Sequence, residues 1–156
     1  MYFWEADKLL APAQVNATQS HKDVINAGAW FEPGRYGQTL PLASRSRDLS
    51  PPESLPQFGL TAYTRLGSRD FDRHWDVFVL NETRSGLGNE IVLSCSVRKA
   101  ALLDGQFPDI YNNCRSHIAI RNGFAVIVDI QAPRLEHANK IFSELLQILR
   151  SYVVKE

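Results

Sequence analysis

Hydrophobic and polar positions alternate most clearly in the last third of the chain. Residues 117–121 and 124–130 are rich in isoleucine, valine and alanine and flank Asn122-Gly123. Asn-Gly tolerates the positive φ angles of a type I′ turn, whose twist matches that of antiparallel strands, so the pattern predicts a β-hairpin. Pro133 then pre-sets the φ angle of a first helical turn. From Leu135 onward the apolar residues are Ala138, Ile141, Phe142, Leu145, Leu146, Leu149, Tyr152 and Val153. This is the i, i+3, i+4, i+7 spacing of one helical face, uninterrupted by glycine or proline, with Glu136 and Lys140 spaced to pair on the wet side. The chain is therefore expected to close on a long amphipathic helix.

Upstream, the period of two predicts further strands. Residues 58–66 mix Leu60, Ala62, Tyr63 and Leu66 with threonines, and 75–80 is a dense β-branched and aromatic run. Residues 83–89, with Gly86 and Gly88, are expected to break that run as a hairpin connection. Residues 90–97 place Ile91, Leu93, Cys95 and Val97 on one face of a strand. A short helix is expected over 104–115, where Phe107, Ile110, Tyr111 and Cys114 recur at helical spacing. In the N-terminal third, 6–15 and 21–25 are read as short helices and 29–31 as a short strand. Residues 44–57 carry Pro51, Pro52 and Pro56 among serines, and are read as an exposed loop, either a connector or a partner contact. The fold class expected is α+β: an antiparallel β-sheet packed against the C-terminal helix and one or two shorter helices. The 156 residues suit a single domain spanning 1–156, large enough to bury about two-thirds of its unfolded surface without a metal.

Charge narrows the classes of function. Lys plus Arg number 17 and Asp plus Glu number 17, so there is no surplus cation for broad nucleic-acid binding. A local basic patch from Arg45, Arg47, Arg65, Arg69, Arg73 and Arg84 is the remaining route to such binding. No apolar run reaches the roughly 20 residues of a membrane-spanning helix. The protein is expected in the cytoplasm if Met1 is the native start, and in the periplasm if a leader has been removed.

Chemistry has few places to reside. Asp70, Asp72, His74 and Asp76 would share one face of an extended segment, and three carboxylates with an imidazole suit a divalent metal. Side chains along one strand point in parallel, so a second element would have to complete that shell. An alternative function on this cluster is a small metal-assisted hydrolase with His117 as base. Cys95 and Cys114 can pair as a disulfide in an oxidising compartment or stay as two buried thiols. No P-loop, dinucleotide fingerprint, nucleophile elbow or zinc-protease motif is present, and no cofactor is expected. Tyr2, Phe3 and Trp4 form an aromatic cluster suited to packing or to insertion into a partner groove.

The strand of residues 124–130 followed by the closing helix of 141–153 resembles the PsbP/DcrB-like superfamily, over about the last 65 residues. That resemblance implies an antiparallel sheet against helices and a protein that is not an enzyme. It carries over no functional residue. The function expected is a non-enzymatic bacterial protein-binding module of the adaptor, effector-chaperone or toxin-immunity type. Its partner would be another protein, encoded nearby, contacted through Tyr2, Phe3, Trp4, Arg45 and Arg47.

Overall fold

The computed structural model describes residues 2–5, 8–11, 24–31, 49–66, 76–107, 112–121 and 124–152. Among these residues nine strands join in one antiparallel sheet: β1 (Tyr2–Glu5), β2 (Lys8–Leu10), β3 (Val24–Phe31), β4 (Glu53–Leu55), β5 (Leu60–Thr64), β6 (Asp76–Arg84), β7 (Glu90–Cys95), β8 (Asn113–Arg121) and β9 (Phe124–Gln131). Their spatial order is β2-β1-β3-β9-β8-β7-β6-β5-β4. The described residues also form two α-helices, α1 (Lys99–Asp104) and α2 (Ala138–Tyr152), and 3-10 helices over Pro56–Phe58 and Ala132–His137. The architecture is α+β, as expected.

Helix and sheet meet through a single apolar layer. Antiparallel register aligns Ala62, Phe78, Leu93, Ser116 and Val128 in one row across five strands, on the face turned to the helices. Phe78, Leu93 and Val128 share a buried core with Ile141, Phe142, Leu145 and Leu146 of α2 and Leu102 of α1. The helical stripe predicted from residue 138 is buried as far as Leu146. Leu149 is half-buried, whereas Tyr152 is 74% exposed. Glu136 meets His137 at 3.3 Å at the start of this helical segment. Asn139 pins the helix to the sheet: its Nδ2 donates to Gly59 O (2.8 Å) and its Oδ1 accepts from Glu82 N–H (3.2 Å). Thr83 Oγ1 also donates to the Asn139 carbonyl (2.9 Å), so one turn of α2 ties β6 to the turn before β5.

Several elements differ from expectation. Lys8–Leu10 and Val24–Phe31 are strands where short helices were expected over 6–15 and 21–25, because pairing with β1 and β9 satisfies their backbone across the sheet. The expected strand at 29–31 is the end of that longer β3. Glu53–Leu55 lies within the expected loop 44–57, yet pairs with β5 as the sheet's outermost strand. Pro51 and Pro52 lack the N–H of an interior strand, and an edge tolerates their neighbourhood. The short helix occupies Lys99–Asp104, and its Gly105 cap adopts φ 65°, a left-handed turn that ends the helix where one was expected to begin. Asn113–Arg115 is already strand β8. The hairpin of β8 and β9 forms, while Asn122 and Gly123 themselves lie outside the described residues.

Residues 85–89 connect β6 to β7. Ser85 N–H donates to Asn89 O (2.9 Å), and the Ser85 hydroxyl accepts from the Asn89 (3.0 Å) and Leu87 (3.3 Å) amides. Gly86 presses on β8, donating to Ala119 O at 3.0 Å. A Cβ at this position would stand 1.9 Å from the Ile120 carbonyl oxygen, and that oxygen belongs to backbone that cannot swing aside. Gly86→Ala is therefore expected to cost about 1–3 kcal/mol, read as a lower urea midpoint at unchanged slope. Leu87→Ala, one position on and exposed, should stay within about 0.5 kcal/mol.

Candidate partner-binding surface

Strand alternation sends every second side chain to the sheet face opposite the helices. On that face the register aligns Tyr63, Val77, Ser94, Arg115 and Asp129 in a row, with Thr61, Val79 and Val92 alongside. Asn26 of β3 continues the row by register with Asp129. Val77 and Val79 are buried by Leu49, Tyr63 and Val92, a second apolar cluster separate from the main core. Among the described residues, no helix packs on this face.

Its charged centre is a fork. Arg115 Nε donates to Asp129 Oδ1 (2.7 Å) and Nη2 to Oδ2 (2.9 Å), a bidentate geometry only arginine offers. The hydrogen bond to Asp129, and then its negative charge, raise the Arg115 pKa above its ordinary value, so the guanidinium stays charged throughout the range in which proteins fold. Its contribution to folding is present below that range's upper limit and would be lost only as pH rose past the raised pKa, so it adds no pH dependence near neutrality. The Arg115 side chain is 54% exposed, so water screens the pair and its worth to stability is about 1 kcal/mol or less. Beside this row stand exposed His117 and half-buried Ile127, so the face offers aromatic, hydroxyl and guanidinium groups, types that occur at protein contacts.

The residues singled out by sequence fall in different places. Asp76 lies on the helix side of the sheet, opposite Cys95, and is 1% exposed. Its Oδ1 accepts from Arg98 Nη1 (2.8 Å) and its Oδ2 from the Lys99 amide (2.6 Å), so both oxygens are engaged. The carboxylate thereby caps the first turn of α1 from a neighbouring strand, and Lys99 Nζ reaches across to Glu53 of β4. Asp70, Asp72 and His74 lie outside the described residues. Among the described residues, no three His, Cys, Asp or Glu side chains gather as a metal centre. Tyr2, Phe3 and Trp4 belong to β1, whose backbone pairs with both β2 and β3. Arg45 and Arg47 lie outside the described residues, and His117 stands on β8 away from the Asp76 side. Cys95 and Cys114 are opposite one another in register and joined as a disulfide.

Sequence reading missed the Arg115–Asp129 pair for a geometrical reason. A two-residue turn pairs Arg121 with Phe124, and continuing that register would set Arg115 against Ile130. The strands instead shift between Ala119 and Arg121, and Ala119 pairs with Ala125. Ile120 is the extra residue of a β-bulge, and the one-residue slip brings Arg115 opposite Asp129. The signal available was a single acid, Asp129, in β9 facing a strand that carries two candidate cations, Arg115 and Arg121.

These features define an α+β class of protein in which an antiparallel sheet carries helices on one face and, among the described residues, a small apolar cluster beside an ion pair on the other. The sequence matches no protein family and no curated protein. Among solved structures the chain is similar to Smlt3025, an immunity protein of the Stenotrophomonas maltophilia type IV secretion system, with a TM-score of 0.54. The two are 15% identical, and the likeness covers 95% of this chain and 78% of that one. Likeness at this identity speaks for a shared fold. No helix among the described residues is long and apolar enough to cross a membrane.

Proposed function

We propose that this chain is a non-enzymatic protein-binding module of the toxin-immunity kind, which holds a partner protein through its surface. The observation that carries the reading is the fold likeness to an immunity protein over 95% of the chain. The PsbP/DcrB-like resemblance of the C-terminal strand and helix supports the same reading, since that superfamily includes adaptors and chaperones. The partner is a toxin protein encoded beside this one in a bacterial genome, and the two meet in the periplasm. Tyr2, Phe3, Trp4, Arg45 and Arg47 contribute to the contact, the aromatics as anchors and the arginines as polar partners.

The test is co-expression with the neighbouring gene products, each directed to the periplasm of a host cell. One of them is expected to arrest growth alone, to be neutralised by this chain, and to co-purify with it as a stable complex. Arg45→Glu/Arg47→Glu and Trp4→Ala should each weaken that complex about tenfold or more, a loss of at least about 1.4 kcal/mol by calorimetry. Absence of both complex and growth rescue for every neighbour sinks the reading. Unchanged affinity in the variants would move the contact elsewhere on the surface.

A further inference from the structure

The sheet is continuous in order but uneven in strength. β8 and β9 pair along their whole length, from Asn113↔Gln131 to Arg121↔Phe124. β7 and β8 pair only from Leu93↔Ser116 to Cys95↔Cys114, the shortest register between β3 and β5. This seam divides the sheet into β2-β1-β3-β9-β8 on one side and β7-β6-β5-β4 on the other. At its Leu93 end the seam is poorly satisfied, because the Ser116 hydroxyl is buried with no hydrogen-bond partner among the described residues. Beyond Leu93 the strands part, and Gly86 of the 85–89 connection bonds β8 instead. At the other end the seam is reinforced. Ser96 N–H donates to Asn113 O (3.0 Å), the Asn113 amide donates to Ser96 Oγ (3.1 Å), and Cys95 is bonded to Cys114.

We propose that the Cys95–Cys114 disulfide is a redox clasp on this seam, sealed inside the core, so that the two halves of the sheet hold together fully only after maturation in an oxidising compartment. Both cysteines are 0% exposed and lie in the same core as α2, so reductant reaches the sulfurs only when the seam opens. In closing, the two thiols lose two protons and two electrons as the S–S bond forms. A thiol–disulfide exchange partner, a protein or small-molecule disulfide, takes them up and is cleaved to two thiols. The apolar stripe of α2 shares one core with residues of both halves, while Asn139 anchors the helix on the β6 side, so opening the clasp loosens the β7–β8 pairing without separating the halves.

The test begins with protein exported to a bacterial periplasm, denatured, and treated with a maleimide reagent. No thiol should label before reduction and two should label after it; two labelled thiols before reduction overturn the proposal. The folded protein is then titrated with dithiothreitol. The reduction rate should reach a plateau as reductant increases, since opening becomes limiting, and should rise steeply in urea. A rate that stays proportional to reductant and equals that of an exposed disulfide overturns the sealing. Finally, hydrogen exchange is compared in oxidised and reduced protein, with Cys95→Ala/Cys114→Ala as a second route to the open state. Protection should fall at 93–96 and 113–116 while 124–130 keeps its own, and the midpoint of melting should drop by roughly 6–12 °C. Equal loss along the whole sheet, or no loss, overturns the clasp.

Discussion

Replacing Asp76 by alanine is expected to destabilise the fold by about 2–4 kcal/mol. The carboxylate is 1% exposed, and each of its oxygens has a donor of its own. Removing it leaves the Lys99 amide at the start of α1 without an acceptor and Arg98 without its counter-charge. The usual cost of breaking a buried ion pair is about 3–5 kcal/mol. Arg98 keeps 31% of its side chain exposed, so water recovers part of that loss and the expected cost sits lower. Urea denaturation checks the magnitude, and two further variants check the cause. Asp76→Asn retains one acceptor for the Lys99 amide and should lose about half as much. Asp76→Ala combined with Arg98→Ala should cost less than the sum of the single changes, a coupling of about 1–3 kcal/mol. Strict additivity would mean that the 2.8 Å pair contributes nothing and that packing alone accounts for the loss.

How much of this was legible in the sequence depends on whether the deciding physics is local. The alternation of Ile91, Leu93, Cys95 and Val97 reports burial directly, because a strand has one core face, and all four are buried. The apolar stripe of α2 is legible for the same reason at helical period. Register is a different matter. A single extra residue at Ile120 decides whether Arg115 meets Asp129 or Ile130, and no local signal separates those outcomes. The N-terminal third fails in another way. Lys8, Leu9 and Leu10 are good helix formers, yet sheet pairing at the edge overrides propensity there. Residues 99–104, Lys-Ala-Ala-Leu-Leu-Asp, are also good helix formers, and here the propensity is obeyed. Gly105 could have marked the end of that helix, because a glycine just past a periodic segment is a common left-handed cap.

The candidate surface shows the same division. That Asp76 would be charged was plain; that it would turn inward to cap α1 was not, since its donors lie 22 and 23 positions away in sequence. The face opposite the helices carries its apolar cluster and its ion pair on residues contributed by five strands. Such a surface has no motif because nothing in protein recognition demands fixed spacing along the chain. A binding module is thus expected to be silent in sequence where an enzyme of similar size would announce its nucleophile or its metal ligands.

Phe142→Ala should be among the most damaging changes in the protein, at about 3–5 kcal/mol. Phe142 is 0% exposed and stands in the middle of the buried stripe, between Ile141 and Leu145, in the same core as Phe78 and Leu93 of the sheet. The ring removes its apolar area from water, and its loss leaves a cavity that the surroundings fill only in part. α2 is fixed at its first turn by Asn139, whose bonds to Gly59 and Glu82 keep the helix from sliding inward to close the gap. The cost is therefore expected towards the upper end for this substitution. Thermal denaturation should show the midpoint falling by roughly 10–15 °C, at about 2–4 °C per kcal/mol for a chain of this size. Phe142→Leu keeps most of the volume and should lose about 1–2 kcal/mol. Tyr152→Ala, on the same helix but 74% exposed, should change stability by no more than about 0.5 kcal/mol. A loss below about 1 kcal/mol for Phe142→Ala would mean that α2 does not rest on the sheet through this residue. The hydrophobic layer that closes the fold would then have to be carried by Ile141, Leu145 and Leu146.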